Sequence, residues 1–599
     1  MQKPRSKTTI DRLTRVYLGF VCAVLAALIV ILLRYLCAYA SGVLVTAAMA
    51  LCLVGLISHP VISITNSVLR LFFPSLTLPA IESDKVAPEH TTLVVIPDLI
   101  LDSEKIDALA DTIREHYLLN DDPNIFFGVL TDWGDSATEH APTDDERLSQ
   151  IVRRIQGLNA TYGSADRRPF FLLHRGRRWN AYDNCWMGYE RKRGKLEDVN
   201  DLILHGNSSP FITVEGDMAA ISRAKYVLTL DNDSRLPRGA ALKLISAIAH
   251  PANRPEFDDK GVIVSGYGIL QPRMMAAQPV GPSTWIERFW VRLRGSNPER
   301  PQFDIFQDFF GEGCFTGVGI YSVADFDRAL RGMIPENHLL SHDVIEGCFA
   351  RAGRAGHVVL YESVPPTYHA ASRRHHRWMR GDWQNCSWLF PFVPSANGRQ
   401  KNSFSLLSRW KIFKCMLASL FPASIALLPF TCAVTGHTYG GVMVVAASVL
   451  LPIMVDITVK RLLGLKLSLV RATKDCLFHT FLTITLAAFE GMRNINAACT
   501  AIYRISGSKR RGLEWVPSSA YDSDDLSAVN YIRYMWTSPA VAVLLAVWMD
   551  IWSARPNAPI LAVMGMWAIA PLVAWQISRR QPNVAAEAAD SGVQREPAR

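Results

Sequence analysis

Two aspartates one residue apart, Asp231 and Asp233, close the apolar run at 227–230 in "VLTLDNDSRLP". If a strand continues through them, both side chains point to one face, because a strand alternates faces with period two. Two anions that close raise each other's pKa unless a positive charge sits between them. Two readings are open. Asp, Asn, Ser and Pro together make a turn. Alternatively the pair holds a divalent cation, Mg²⁺ or Mn²⁺, that carries a diphosphate, since Mg²⁺ takes one or two carboxylates plus phosphate oxygens and waters.

Four other stretches carry chemistry-bearing residues. "VLTDWGDS" (129–136) ends an apolar run with Asp132 and Asp135. "ERKRGKLEDVN" (190–200) opens a helical pattern with Lys195, and Asn200 follows five residues later. "LLSHDVIEGCFARAG" (339–353) puts Asp343 near a helix start, where the dipole alone would favour an acid. "RRHHRWMRGDW" (373–383) mixes cations with Trp378 and Trp383, which also suits a basic rim at a membrane surface. Each stretch has an ordinary structural explanation. Their joint order favours one shared site.

The elements that must position these residues divide into two kinds. Mean hydropathy is +0.11 in a chain with 63 Lys and Arg and 54 Asp and Glu, so apolar and charged residues must be segregated. Residues 17–33, 36–58, 412–434, 438–455, 535–552 and 557–576 are nearly uncharged and of membrane-spanning length. Six spans are expected, with residues 1–60 holding the first two. Lys3, Arg5, Lys7, Arg12 and Arg15 before the first span put the N-terminus in the cytoplasm of a bacterial inner membrane. The soluble domain and the C-terminus then share that side. Residues 61–80, 403–416 and 475–503 read as interfacial, the last as interfacial or re-entrant because Glu490 and Arg493 interrupt it and both flanks are basic. The expected organisation is an interfacial linker at 61–90, a soluble domain at 91–395, interfacial helices with about four spans at 396–580, and a disordered tail at 581–599. The net charge of +9 does not point to nucleic acid, because the basic residues collect beside the spans. The eleven cysteines are scattered with no CxxC, which argues against a zinc site and suits a reducing compartment.

Within 91–395, apolar strand-like runs at 91–98, 124–132, 169–174 and 226–231 alternate with helical patterns at 106–113, 144–157, from about 195, and 238–249. Repeated β-α units predict a mostly parallel sheet with helices on both faces. Ligands of such sheets sit beyond the C-terminal strand ends, where Asp132, Asp135, Asp231 and Asp233 fall.

The order acid, GK…N, DxD, SHD, RW resembles the processive family 2-like glycosyltransferases. "HRGRRWN…WMGYERKRGKLEDVN", "LDNDSRLPRGA", "GYGILQPR", "FQDFFGEGCFTGVGIY", "LLSHDVIEG", "HHRWMRGDWQ" and "KRRGLEW" are similar to the glycosyltransferase domain of the cyclic β-1,2-glucan synthases, glycosyltransferase family 84. That resemblance implies an α/β GT-A domain, a Rossmann-like nucleotide-diphosphosugar transferase, joined to an α-helical transmembrane domain. It implies UDP-glucose as donor, a glucan or oligosaccharide acceptor, β-1,2-glucan as product and inversion at the anomeric carbon. Asp233 is then the direct metal ligand, with Asp231 assisting and lying closer to the ribose. Asp135 and Asp132 sit by the uracil, Lys195 by a phosphate or donor hydroxyl, and Arg377 by the diphosphate. Asp343 is the general base. His342 either tunes it or is incidental. Trp378 and the turn Gly311, Glu312, Gly313 face the acceptor.

The cyclic synthases are longer and carry a C-terminal phosphorylase-like domain, which is not expected in a sequence that stops at Arg599. "GSNPERPQFDIF" (295–306) lacks a tyrosine, so self-priming on this chain is not expected and the product should be free of protein. Cys314 stands where a small hydroxyl residue is expected, and Arg374 where the wider family has glutamine. A lipid head group or short oligosaccharide as acceptor is the competing enzymatic reading. A non-catalytic membrane subunit is the competing reading of another class.

Overall fold

The computed structural model describes residues 5–37, 42–279, 281–294, 298, 302–465, 467–508, 512–514 and 527–581. Much of the "GSNPERPQFDIF" stretch, most of "KRRGLEW" and most of the C-terminal tail lie outside the described residues.

Among the described residues, nine strands form the main sheet: β1 (Thr92–Ile100), β2 (Ile125–Trp133), β3 (Phe170–Arg175), β4 (Phe211–Glu215), β5 (Tyr226–Thr229), β6 (Ser234–Arg235), β7 (Ile269–Ala276), β8 (Gly319–Ser322) and β9 (Ala352–Glu362). Their order across the sheet is β4-β3-β2-β1-β5-β8-β7-β9-β6. The pairs β3-β2, β2-β1 and β1-β5 are parallel, as the β-α alternation predicts. The sheet as a whole is mixed, not mostly parallel. β8 runs antiparallel between β5 and β7, and β4 and β6 are antiparallel edges. The sequence did not announce β7 and β9, because "ILQPRMMA" and "AGRAGHVVLYE" interrupt the apolar pattern with Pro, Gly and Arg. Arg273 is nonetheless 1 % exposed, a charge buried inside the sheet.

Alternation sorts the strands into two cores. Val94, Ile96, Phe127, Val129, Phe170 and Leu172 face one way, under α1 (Ser103–Leu119), α2 (Asp144–Tyr162) and α3 (Ala240–Ala249). Leu93, Val95, Phe126, Leu130, Phe171 and Leu173 face the other, against α4 (Arg191–His205) and α5 (Asp343–Phe349). α4 begins at Arg191, earlier than expected, so its first turn already carries Lys192, with Lys195 at the start of the second.

Helices α6 (Lys7–Leu36), α7 (Val43–Leu69), α8 (Leu406–Thr435), α9 (Thr438–Leu462) and α10 (Ala558–Ile577) are long and apolar enough to cross a bilayer. A sixth span arises if Ala528–Tyr534 and Thr537–Ile551, which meet at 57°, count as one. Residues 61–69, expected to be interfacial, continue α7, and 406–416 are the opening turns of α8. Those turns leave the bilayer part behind: Ile412 and Met416 pack into the second core of the sheet domain. The doubtful segment is a single unbroken helix, α11 (Leu469–Tyr503), so it is not a helix-loop-helix hairpin. It packs Ile484, Ala487 and Ala488 against α8 and α10, and Trp567 of α10 donates its indole N–H to the Ile484 carbonyl.

The two parts are joined by a buried ion pair. Lys411 of α8 donates to Glu312 at 2.7 Å and to the Gly313 carbonyl at 2.6 Å, with all of this ammonium's surroundings out of water. Removing one partner of such a pair leaves the other charge buried and alone. Lys411→Ala should therefore cost about 3–5 kcal/mol, read as a lower melting temperature of the detergent-solubilised chain. An unchanged melting temperature would show that the pair does not couple the two parts.

Candidate functional site

The C-terminal ends of β1, β2, β3 and β5 converge on the first turn of α4. Asp132 at the end of β2 is fully buried. Arg175 at the end of β3 grips it with two bonds, at 2.8 and 2.9 Å, and Lys195 of α4 lies 3.1 Å away. Burial alone would raise the Asp132 carboxyl, but Arg175 and Lys195 outweigh it and hold it at about 2. Lys195 also donates to the Asp98 carbonyl of β1 at 2.6 Å. Asp132 and Lys195, expected beside the donor, thus spend their charges on one another. Gly188 backs onto this pair so closely that a Cβ there would meet the Asp132 carboxylate at 2.2 Å. Asp135 is different. It is exposed and receives two bonds from Arg191, at 2.5 and 2.7 Å.

With Lys195 turned inward, it is Lys192, one turn earlier, that faces the acids beyond β5. Its ammonium donates to Asp231 at 2.6 Å and to the Gly317 carbonyl at 2.7 Å. Burial works against its charge, yet Asp231 and Asp343 outweigh burial and keep it protonated. Lys192, which the sequence reading passed over, is the lysine of α4 that meets Asp231. The signal was there, as the second of four cations in "RKRGK".

Asp231 and Asp233 do not continue β5. The strand ends at Thr229, and the Ser234 amide donates to the Asp231 carbonyl at 2.9 Å, closing a turn. The turn reading is therefore correct for the backbone, and the argument from strand alternation is not. The carboxylates still share one electrostatic environment, because both act on Arg377. Asp233 is half-buried. Burial first, then Glu362 and Asp231, push it up to about 6 against the pull of Arg374. Carboxylates crowded in this way fit a divalent cation, whose charge would relieve them.

Arg374 lies 3.7 Å from Asp233, pairs with Glu362, and stands over the Trp378 ring at 4.7 Å. Arg377 is on the same helix, α12 (Tyr368–Gln384), and its guanidinium is lowered to about 10 by burial and by neighbouring Arg374. The residue replacing the family glutamine is thus the one that reaches the acids.

Asp343 opens α5 opposite Lys192. Gly317, at φ +96°, lies against it, and a Cβ there would come within 2.9 Å of its carboxylate. Burial raises the Asp343 carboxyl, while His342 and Lys192 oppose that rise. His342, Asp343 and Glu346 bring their ligand atoms within 4.8 Å of one another. The expected acceptor turn has another setting. Glu312 is buried against Lys411 and Arg351, Gly311 takes φ +84° with its carbonyl bonded by Tyr267, and Gly313 packs on Arg354.

No protein-family profile matches the chain. Among curated proteins, the cyclic beta-(1,2)-glucan synthase NdvB of Rhizobium meliloti (strain 1021) is 33% identical over 552 residues, covering 87% of this chain. Over that stretch the chain is similar to this cyclic β-(1,2)-glucan synthase. It spans only 19% of the length of that relative. The residues that the structure brings together are Asp231, Asp233, Asp343, Lys192, Arg374 and Arg377. Asp132 and Lys195 are set behind them, and Glu312 is set at the membrane junction.

Lys192→Met and Lys195→Met should separate the two roles. The first should keep the fold and lower sugar transfer about 10²-fold, the usual cost of one preorganised cation at a reacting centre. The second should lower stability by about 1.5–3 kcal/mol, the range for losing a hydrogen bond to a charged group, with Arg175 still holding Asp132. Thermal melts and initial rates on the same preparations decide. Equal behaviour of the two variants would contradict the assignment.

Proposed function

We propose that the chain is a membrane-embedded inverting glycosyltransferase that builds β-1,2-glucan from UDP-glucose. The observation that carries this reading is Lys192, which bonds Asp231 and acts electrostatically on Asp343, so that an acid pair suited to a diphosphate's metal and a candidate base share the field of one cation. The similarity to that synthase and the parallel block β3-β2-β1-β5 support a GT-A domain. Five apolar spans, six if the bent pair counts as one, support a multi-pass protein of the bacterial inner membrane, with the catalytic domain in the cytoplasm and the polymer leaving through the helices.

In this reading an acceptor hydroxyl gives its proton to Asp343 as its oxygen bonds to the anomeric carbon. The bond from that carbon to the diphosphate oxygen breaks on the opposite face, and its electron pair leaves with UDP. One attack without a covalent enzyme intermediate inverts the anomeric centre. Lys192 keeps Asp231 in place and meets charge developing on the donor. Arg377 faces the diphosphate with a planar fork suited to phosphate oxygens. Asp233, with Asp231, would hold Mg²⁺ or Mn²⁺, which when bound supplies Lewis-acid stabilisation of the leaving diphosphate. Trp378 offers a flat face to the acceptor sugar. Asp135, paired with Arg191 at the rim, is placed to meet the uracil.

Purified membranes given radiolabelled UDP-glucose should form a β-1,2-linked product by linkage analysis. EDTA should stop synthesis, and Mg²⁺ or Mn²⁺ should restore it. Asp343→Asn should lower transfer by about 10² or more, the range of general-base help, with UDP binding kept within a few-fold. A fully active Asn variant removes the base, and a product of another linkage removes the assignment of glucan.

A further inference from the structure

We infer that His342 is a positioning residue, a cation held by Glu346 against the side of Asp343 that keeps the base carboxylate charged and in place. This rests on the reading of Asp343 as the base.

The geometry comes first. His342 is 6 % exposed and Glu346 2 %. The His342 Nδ1 lies 2.9 Å from a Glu346 oxygen, one helical turn away, and 3.6 Å from an Asp343 oxygen. One imidazole nitrogen therefore sits between two carboxylates of different exposure. Glu346 is sealed in the interior, and Asp343 opens toward the cleft. A buried carboxylate needs a charged partner, and Glu346 finds one in the imidazolium. The imidazolium in turn lies beside the only one of the two acids that substrate could reach.

The surrounding charges fit this role better than that of a metal site. Asp343 faces His342 and Glu346 from its own helix, Lys192 from α4 and Asp231 from the turn after β5. His342 faces Glu346, Asp343 and Arg193, and Glu197 of α4 acts on Glu346's side. Lys192 and Arg193 already bring two fixed cations to this cluster, which leaves little to hold a dication. Burial would discharge His342, but Glu346 and Asp343 outweigh it and raise its affinity for a proton.

The sign of the consequence follows. The positive imidazolium favours the ionised form of Asp343, and loss of that charge favours the protonated form. Without it, Asp343 would take up a proton at higher pH, and the base would be lost sooner on acidification. His342 keeps its own proton throughout, and the proton from the acceptor hydroxyl goes to Asp343.

The test is the pH profile of the transfer rate from UDP-glucose in proteoliposomes. His342→Gln should move the acidic limb up by about one unit or more, the scale of a lost ion pair at this separation. At pH values well above that limb its rate should stay within a few-fold of wild type, with KM for UDP-glucose also within a few-fold. His342→Lys restores a cation and should return the limb toward the wild-type position. Should His342→Gln fail to accumulate, His342→Lys decides alone: a limb at the wild-type position supports the role, and one displaced upward overturns it. An unmoved limb in His342→Gln, or an equal loss of rate at every pH, also overturns it. If Asp343→Asn is inactive while the limb stays put, only the positioning role falls. If Asp343→Asn is active, the base and the positioning role fall together.

Discussion

The site depends on one buried ion cluster, Asp132 with Arg175 and Lys195. Three separate elements meet there: β2, β3 and the start of α4. Because both oxygens of Asp132 are engaged and no water competes, the helix start cannot rotate without stranding a charge. That fixes which lysine of "RKRGK" faces inward and which reaches the cleft. Lys192 then ties Asp231 to the Gly317 backbone, and Gly317 in turn leaves room for Asp343. The acids are ordered by cations, and those cations are ordered by a charge buried behind them.

A second constraint couples this site to the apolar helices. Glu312 follows the turn at Gly311 and is held by Lys411, which sits in the opening turns of α8. Further along α8, Ser419 receives the indole N–H of Trp383 and gives its carbonyl to Asn494 of α11. Trp383 belongs to α12, the helix of Arg374, Arg377 and Trp378. Movements of α8 or α11 therefore reach the cationic wall of the cleft through short, direct contacts. Tyr368 at the start of α12 reinforces the link, bonding Glu490 of α11 at 3.1 Å.

Much of the architecture was legible in the sequence. The runs at 91–98, 124–132 and 169–174 became strands of the parallel block because uninterrupted apolar residues bury equally well on both faces of a sheet. The spans were legible because a bilayer demands a fixed length of uncharged helix. β7 and β9 were not, since Pro, Gly and Arg interrupt their apolar pattern and partners such as Thr316 for Gln271 and Gln302 for Arg354 lie well away along the chain. The continuity of α11 was not legible either. Glu490 and Arg493 look like breaks until Tyr368 and Ser372 of α12 are seen to receive them.

By itself, the sequence determined the residue types of the site and their order: an acid pair at a strand end, a cationic helix start, an acid at a second helix start and an arginine-tryptophan helix. Only the tertiary structure decided which member of each set faces the cleft. It chose Lys192 over Lys195 and turned Asp132 inward while leaving Asp135 exposed. It brought Arg374 to Asp233, and placed Glu312 at the membrane junction. The physical reason is the same in each case. A charged side chain goes where an opposite charge or a hydrogen bond compensates its desolvation, and those partners lie on other strands and helices, at distances along the chain that no local pattern encodes.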